Sequence, residues 1–157
     1  TFMREKFAIQ ALQKININVP TIVFADARKV AGEWQAILAT RELKGFTDLE
    51  CWYNHGGRKR LGEQQHEQFL LQLGRVLGLL HSHHWQHTCL YPKHIFVTQG
   101  DATQLPEIAL IDLEKARRRI FTSHAARRDL DQLRRHSLMW NEQDWQILLT
   151  GHNEARQ

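Results

Sequence analysis

Cysteine, proline and tyrosine are scarce in this chain, with two, three and two among 157 residues. Cys51 and Cys89 lie far apart and in no metal-type spacing, so a disulfide framework is excluded and a reducing cytosol is the expected compartment. No apolar run reaches the roughly 18–20 residues that cross a bilayer, and no secretory signal pattern opens the chain. Internal repeats and low-complexity tracts are absent. What remains is ordinary for one globular domain with one core: 42% hydrophobic and 24% charged residues. The formal charge is +4, and its basic residues are clustered, which matters more than the total.

The periodicities give an α+β order. Phe7, Ala8, Ala11, Leu12 and Ile15 mark one face of an opening helix, which ends before Pro20. Thr21 to Ala25 and Glu33 to Thr40 are expected to form a hairpin around a polar turn at Asp26 to Gly32. Thr47 and Glu50 fit a capping box, and His55 to Arg60 is a basic loop. Gln64 to Ser82 is the longest helix, with Gly74 and Gly78 permitting close approach of another element. Ser123 to Leu138 is a further helix capped by Ser123, with Ala126, Leu130, Leu133 and Leu138 inward. A last helix is capped by Asn141 and stopped by Gly151.

The chemistry-bearing stretch is His87-Thr88-Cys89-Leu90-Tyr91-Pro92-Lys93-His94-Ile95-Phe96-Val97, echoed by Ile108-Ala109-Leu110-Ile111-Asp112-Leu113-Glu114. Each holds a short apolar strand, and Thr98 to Glu107 between them is a natural hairpin connection. Such a pair can place His94 beside Asp112, the geometry that a phosphate-bound divalent metal needs.

This pattern resembles the catalytic segment of protein-kinase-like phosphotransferases, H-R-D-x-x-x-x-N followed by a hairpin and D-F-G. It is most similar to the lipopolysaccharide kinase (Kdo/WaaP) family, in particular its InaA-like branch, where the asparagine position is usually His. The resemblance runs from about Arg4 to Gly151. It implies a protein-kinase-like fold in which residues 1–43 are a partial N-lobe and hinge and residues 44–157 a mostly helical C-lobe. It places His87 at the first motif position, Cys89 at the catalytic aspartate, His94 at the metal-binding asparagine and Asp112 at the D-F-G aspartate. Thr40 to Leu43, with Glu42 between, becomes the hinge that receives adenine, and Glu5 the helix glutamate that pairs with the nucleotide-binding lysine. Asp129 becomes the helix aspartate that supports the catalytic loop from below, with His87. The glycine-rich loop and the lysine strand are expected upstream of Thr1, in a longer natural protein.

Each residue has a plainer alternative. Asp112 can be a strand-end acid, His94 a hydrogen-bonded structural imidazole, and Lys93 a solvated lysine rather than a contact to the transferred phosphate. Asp129 can be a surface acid near a helix N-terminus. Cys89 can be a small buried hydrophobe, and a thiol, with an ordinary pKa of about 8.5, accepts a proton from an attacking hydroxyl less readily than a carboxylate. Loose phosphoryl-transfer transition states need little help from a base, so the change need not be fatal. Glu114, where protein kinases have Gly, can face the same side as Asp112. His81, His83, His84, His87 and Cys89 have ligand types suited to zinc, but not its usual paired spacing.

Arg58-Lys59-Arg60, Arg117-Arg118-Arg119, Arg127-Arg128 and Arg134-Arg135 form basic clusters. They suit an anionic partner. With no aromatic-rich RNA-binding strand motif, a phosphorylated glycolipid is expected rather than nucleic acid. The resemblance thus implies a cytoplasmic phosphotransferase, peripheral to the inner membrane, that uses ATP and Mg²⁺ on a sugar hydroxyl of a lipopolysaccharide core. A pseudokinase serving as a regulatory module is the rival.

Overall fold

The computed structural model describes residues 2–157. Helix α1 (Phe2–Lys14) buries Ala8, Ile9 and Leu12. Phe7 is instead 58% exposed, its ring 5.9 Å from that of Trp85. The hairpin of β1 (Ile22–Val30) and β2 (Glu33–Thr40) is longer than its sequence suggests. Asp26, Arg28 and Lys29 are strand residues, polar because they face water. The turn is only Ala31-Gly32, both at positive φ, 50° and 88°, the left-handed pair that fits strand twist.

β3 (Thr47–Asp48) leads into α2 (Leu49–Asn54). Thr47 pairs with Val97, so it is not the cap. Asp48 caps α2 by accepting from the Cys51 amide. The basic segment expected as a loop forms α3 (Gly57–Leu61). Arg58 anchors it through Glu63 and Asp144 at 2.7 and 2.9 Å.

The central element is α4 (Glu63–Ser82), which buries Phe69, Leu70, Leu73, Leu77 and Leu80. The two-residue β4 (Trp85–Gln86), a 3₁₀ turn at Pro92–His94, and β5 (Ile95–Val97) follow. β6 (Ile108–Leu110) pairs antiparallel with β5, giving a small sheet β3-β5-β6. β7 (Arg117–Arg118) pairs with β4. α5 (Thr122–His136) begins one residue before Ser123 and has no side-chain cap, and Leu138, beyond its end, is 93% exposed rather than inward.

α6 (Glu142–Glu154) carries the Asn141–Asp144 capping box and runs through Gly151. Gly151 does not stop the helix because its bare face meets α4. A Cβ there would lie 2.1 Å from the Leu71 carbonyl oxygen, and one on Gly74 would lie 2.0 Å from that of Leu148. The glycines let the two backbones touch, burying the apolar faces of both helices beneath the strands.

Candidate functional site

The segment from His87 to His94 is shaped by one buried carboxylate. Asp129, on α5 and fully buried, accepts from the His87 amide at 2.7 Å, the Thr88 amide at 2.9 Å and His81 Nε2 at 3.1 Å. Thr88 sits at φ 68°, a conformation that β-branched residues rarely adopt. Its hydroxyl donates to the Lys115 carbonyl at 2.8 Å. Backbone strain of this kind persists where surrounding bonds over-determine it, and it gathers at functional sites. One helical turn beyond Asp129, the Gln132 side-chain oxygen Oε1 accepts from the Leu90 amide at 2.9 Å. Thr88 lies within the quoted motif but takes no role from it, and Gln132 carries no motif signal. Gln132 is legible only in that it lies three residues from Asp129 on a helix, hence on the same side.

His87 is fully buried. Its Nε2–H donates to the Ile111 carbonyl at 2.9 Å and its Nδ1 accepts from the Cys89 amide at 3.3 Å, which defines the neutral tautomer. Burial pushes its pKa down, against Asp129, which pulls it up. The ring stacks on His94 at 6.2 Å between centroids. His87 and Asp129 thus both contact the backbone of this loop directly. Behind Asp129, His81 Nδ1 meets His152 Nε2 at 2.9 Å, and burial, then His81, pushes the His152 pKa down to about 4.

His94 Nδ1 lies 2.7 Å from the Cys89 carbonyl. A carbonyl only accepts, so Nδ1 carries the proton and, in the neutral ring, Nε2 presents a lone pair. That lone pair faces Asp112 Oδ2 at 3.4 Å. Two acceptors facing each other need a proton or a cation between them. A metal-binding histidine characteristically donates its other N–H to a carbonyl, as here. Asp112 is at φ 57°, turned out of the strand line by a conformation that Asp tolerates better than most residues.

Asp112 also lines a cleft of about 320 Å³ with Glu5, Thr40, Arg41, Glu42 and Leu43. All four residues expected at the nucleotide therefore meet at one place. The apolar walls, Ile9, Pro20, Phe96, Ile111 and Leu113, went unmarked by any motif, since they read as ordinary strand and turn residues. The Glu5 carboxyl is pushed above its usual range by burial, then by Glu114 and Asp112. A cation beside Glu5 and Asp112 would relieve the part of that shift that their mutual repulsion causes. A larger hollow of about 520 Å³ beside Asn16 to Val19 has one titratable group in its wall, Glu107, and gathers none of the expected residues.

No three His, Cys, Asp or Glu side chains converge on a metal among the described residues. Magnesium that arrives with a nucleotide takes one or two protein ligands and draws the rest from phosphate and water. The pair His94 and Asp112 fits that arrangement, although imidazole is a softer ligand than Mg²⁺ prefers. The histidines considered for zinc are engaged elsewhere: His81 and His87 as above, His83 with the Leu79 carbonyl and His84 with the Arg119 carbonyl. Cys89 is half-buried and is not among the residues lining the cleft. Lys93 is exposed, its ammonium 5.7 Å over the Tyr91 ring.

Protein InaA of Escherichia coli strain K12 is 33% identical over 147 residues, covering 93% of this chain and 66% of that protein. A 3-deoxy-D-manno-octulosonic acid kinase of Pasteurella multocida strain Pm70 is 28% identical over 152 residues, covering 92% and 60%. The chain therefore spans no more than 66% of these relatives' length. A solved structure of WaaP in complex with acyl carrier protein superposes with a TM-score of 0.81 at 22% identity, over 98% of this chain and 66% of that one. The fold is the mixed, protein-kinase-like one of WaaP. The model of the lipopolysaccharide kinase (Kdo/WaaP) family matches residues 1–152, and the chain belongs to that family.

Proposed function

We propose that the chain is the larger part of a phosphotransferase that moves the γ-phosphate of ATP to a sugar hydroxyl of a lipopolysaccharide-type acceptor. The observation that carries this is His94 Nε2 standing 3.4 Å from the carboxylate of Asp112, which lines the cleft. Adenine would lie against Ile9, Leu43 and Phe96, with the backbone of residues 40–43 at its edge. His94 and Asp112 would hold the Mg²⁺ that comes with the nucleotide, and the ion would neutralise charge on the transferring phosphoryl group. The chain's own residues position rather than react. Asp129 and His87 fix the loop, and the Cys89 carbonyl orients His94.

Residues 1–43 fit part of an N-lobe. Val23, Phe24, Trp34 and Ile37 on the hairpin are more than half exposed, as expected of a sheet continued by further strands. Those strands would bring the lysine partner of Glu5. No helix among the described residues is long and apolar enough to cross a membrane, and a peripheral position at the inner membrane would rest on the basic surface.

The test is Mg²⁺-dependent transfer of labelled γ-phosphate to deacylated core oligosaccharide by the full-length protein. Asp112→Asn should lower kcat/KM by more than about 100-fold, given the several kcal/mol that such charge neutralisation supplies. Absence of transfer by the parent protein, or full activity of the variant, would overturn the enzyme reading. Cys89 at the catalytic carboxylate position favours a second reading, a nucleotide-binding regulatory module. It is distinguished by Mg²⁺-ATP binding without transfer.

A further inference from the structure

A further hollow, of about 340 Å³, reaches the strained loop at Thr88. Arg117, Arg128 and Arg135 line it with Gln86, Thr88 and Gln132, and no carboxylate does. Three elements meet here: β7 brings Arg117, β4 brings Gln86 opposite it, and α5 presents Arg128, Gln132 and Arg135 at spacings of four and three, on one side.

The cations of this hollow differ from the three ion-paired arginines of the chain. Arg58, Arg75 and Arg134 each hold a carboxylate, of Glu63 and Asp144, of Glu154 and of Glu142. Arg117, Arg128 and Arg135 have no such ion pair among the described residues. Arg135 donates only to the Asp131 carbonyl within its own helix. Their mutual field is felt nearby. Arg119 is pulled down by burial, then by Arg117 and Arg128, and His124 by burial, then by Arg128 and Arg127.

The polar floor is fixed by the loop itself. Gln86 is 3% exposed and takes the Arg119 guanidinium at 2.6 Å. Gln132 holds the Leu90 amide, and Thr88 is locked by Asp129 and Lys115. Repelling guanidiniums gathered around a rigid polar floor are what a dianionic tetrahedral group requires. Guanidinium forks match phosphate oxygens, and the amide groups fix orientation.

We propose that this hollow is an oxyanion subsite that seats a phosphomonoester already present on the acceptor, holding the acceptor beside the loop at which transfer takes place. The assignment rests on the phosphotransferase reading for its purpose but not for its existence. It predicts an acceptor that arrives already phosphorylated.

The test begins without nucleotide. Amide spectra are titrated with inorganic phosphate and with glucose 6-phosphate, using glucose and chloride at matched ionic strength as controls. Saturable shifts are expected at the Thr88 amide and at the Gln86 and Gln132 side-chain amides. Arg128→Gln and Arg135→Gln should each weaken binding by about tenfold or more, the scale of one lost charge-assisted contact. Lys59→Gln, an equal charge change on α3, should not. Thermal unfolding in phosphate-free buffer separates this from a folding defect, because relief of repulsion should leave the variants at least as stable as the parent.

Vesicles of phosphatidylcholine with and without phosphatidic acid separate the sources of phosphate. Vesicle binding that soluble phosphate neither reproduces nor competes with would overturn the pocket in favour of a diffuse charged surface, as would equal phosphate binding by the parent and both variants. In the full-length protein, the variants should raise KM for a phosphorylated acceptor and converge with the parent on one stripped of phosphate. Phosphate binding without transfer would sink the activity and leave the subsite standing. Transfer without phosphate binding would do the reverse.

Discussion

Replacing Asp129 by Ala removes the acceptor of three donors, the His87 amide, the Thr88 amide and His81 Nε2, at 2.7, 2.9 and 3.1 Å. Each buried donor left unmade costs about 1–3 kcal/mol, so the ceiling is roughly 3–9 kcal/mol by that same scale. Thr88 is only half-buried, so water reaches its amide and lowers the cost. Broken buried polar networks generally lose about 3–5 kcal/mol. A loss of about 4 kcal/mol is therefore expected, a large share of the roughly 5–15 kcal/mol that holds a domain together. Asn should cost less, because its amide oxygen still takes one donor while its NH₂ confronts another. Equilibrium urea unfolding measures this, with Asp131→Ala as the control. Asp131 is exposed two residues away, and its loss should fall within about 0.5 kcal/mol. Hydrogen exchange adds a local readout, since the Thr88 and His87 amides should lose protection before α4 does. If Asp129→Ala and Asp131→Ala differ by less than about 1 kcal/mol, Asp129 does not hold the loop and the three contacts carry little free energy.

Three further outcomes can be checked. His152 is pushed down to about 4 by burial and by His81, whereas the unfolded imidazole takes up its proton near pH 6.5. Between those values protons bind the unfolded chain preferentially, so stability should fall as pH drops from about 6.5 towards 4. Urea midpoints across that window should show a shallower acid limb for His152→Asn. Gly74→Ala and Gly151→Ala should each destabilise by about 3 kcal/mol, at the upper end of overpacking costs, because the added Cβ meets backbone oxygens at 2.0 and 2.1 Å. Thermal melts check this, and a near-neutral Ala at both positions would mean that α4 and α6 do not touch. Cys89→Ala should keep kcat for phosphate transfer within about tenfold, since a loose transition state needs little base. A fall of about 10²-fold or more is the signature of a general base and would make the thiol that group.

The sequence by itself determined the elements that repeat a local rule. The stripe of α4, the Asn141 cap and the two strands around Thr98 to Glu107 follow from periodicity and turn chemistry, which act within a few residues. The strand-pair reading set His94 beside Asp112, and the family resemblance named the other residues of the candidate site. His94 and Asp112 face each other, and Glu5, Thr40, Glu42 and Leu43 share a cleft with Asp112. Local rules failed where a distant partner decided. Polar Asp26 to Val30 reads as a turn, yet pairing with β2 makes it strand. Thr47 reads as a cap until β5 claims its backbone. Gly151 reads as a stop, but close packing on Leu71 makes it an interior residue of α6. Gln132 and the pairing of His81 with His152 belong to no motif, and Thr88 lies in one that assigns it no role. Their roles arise from hydrogen bonds between residues 27 to 71 positions apart, and only the folded chain brings such groups within reach.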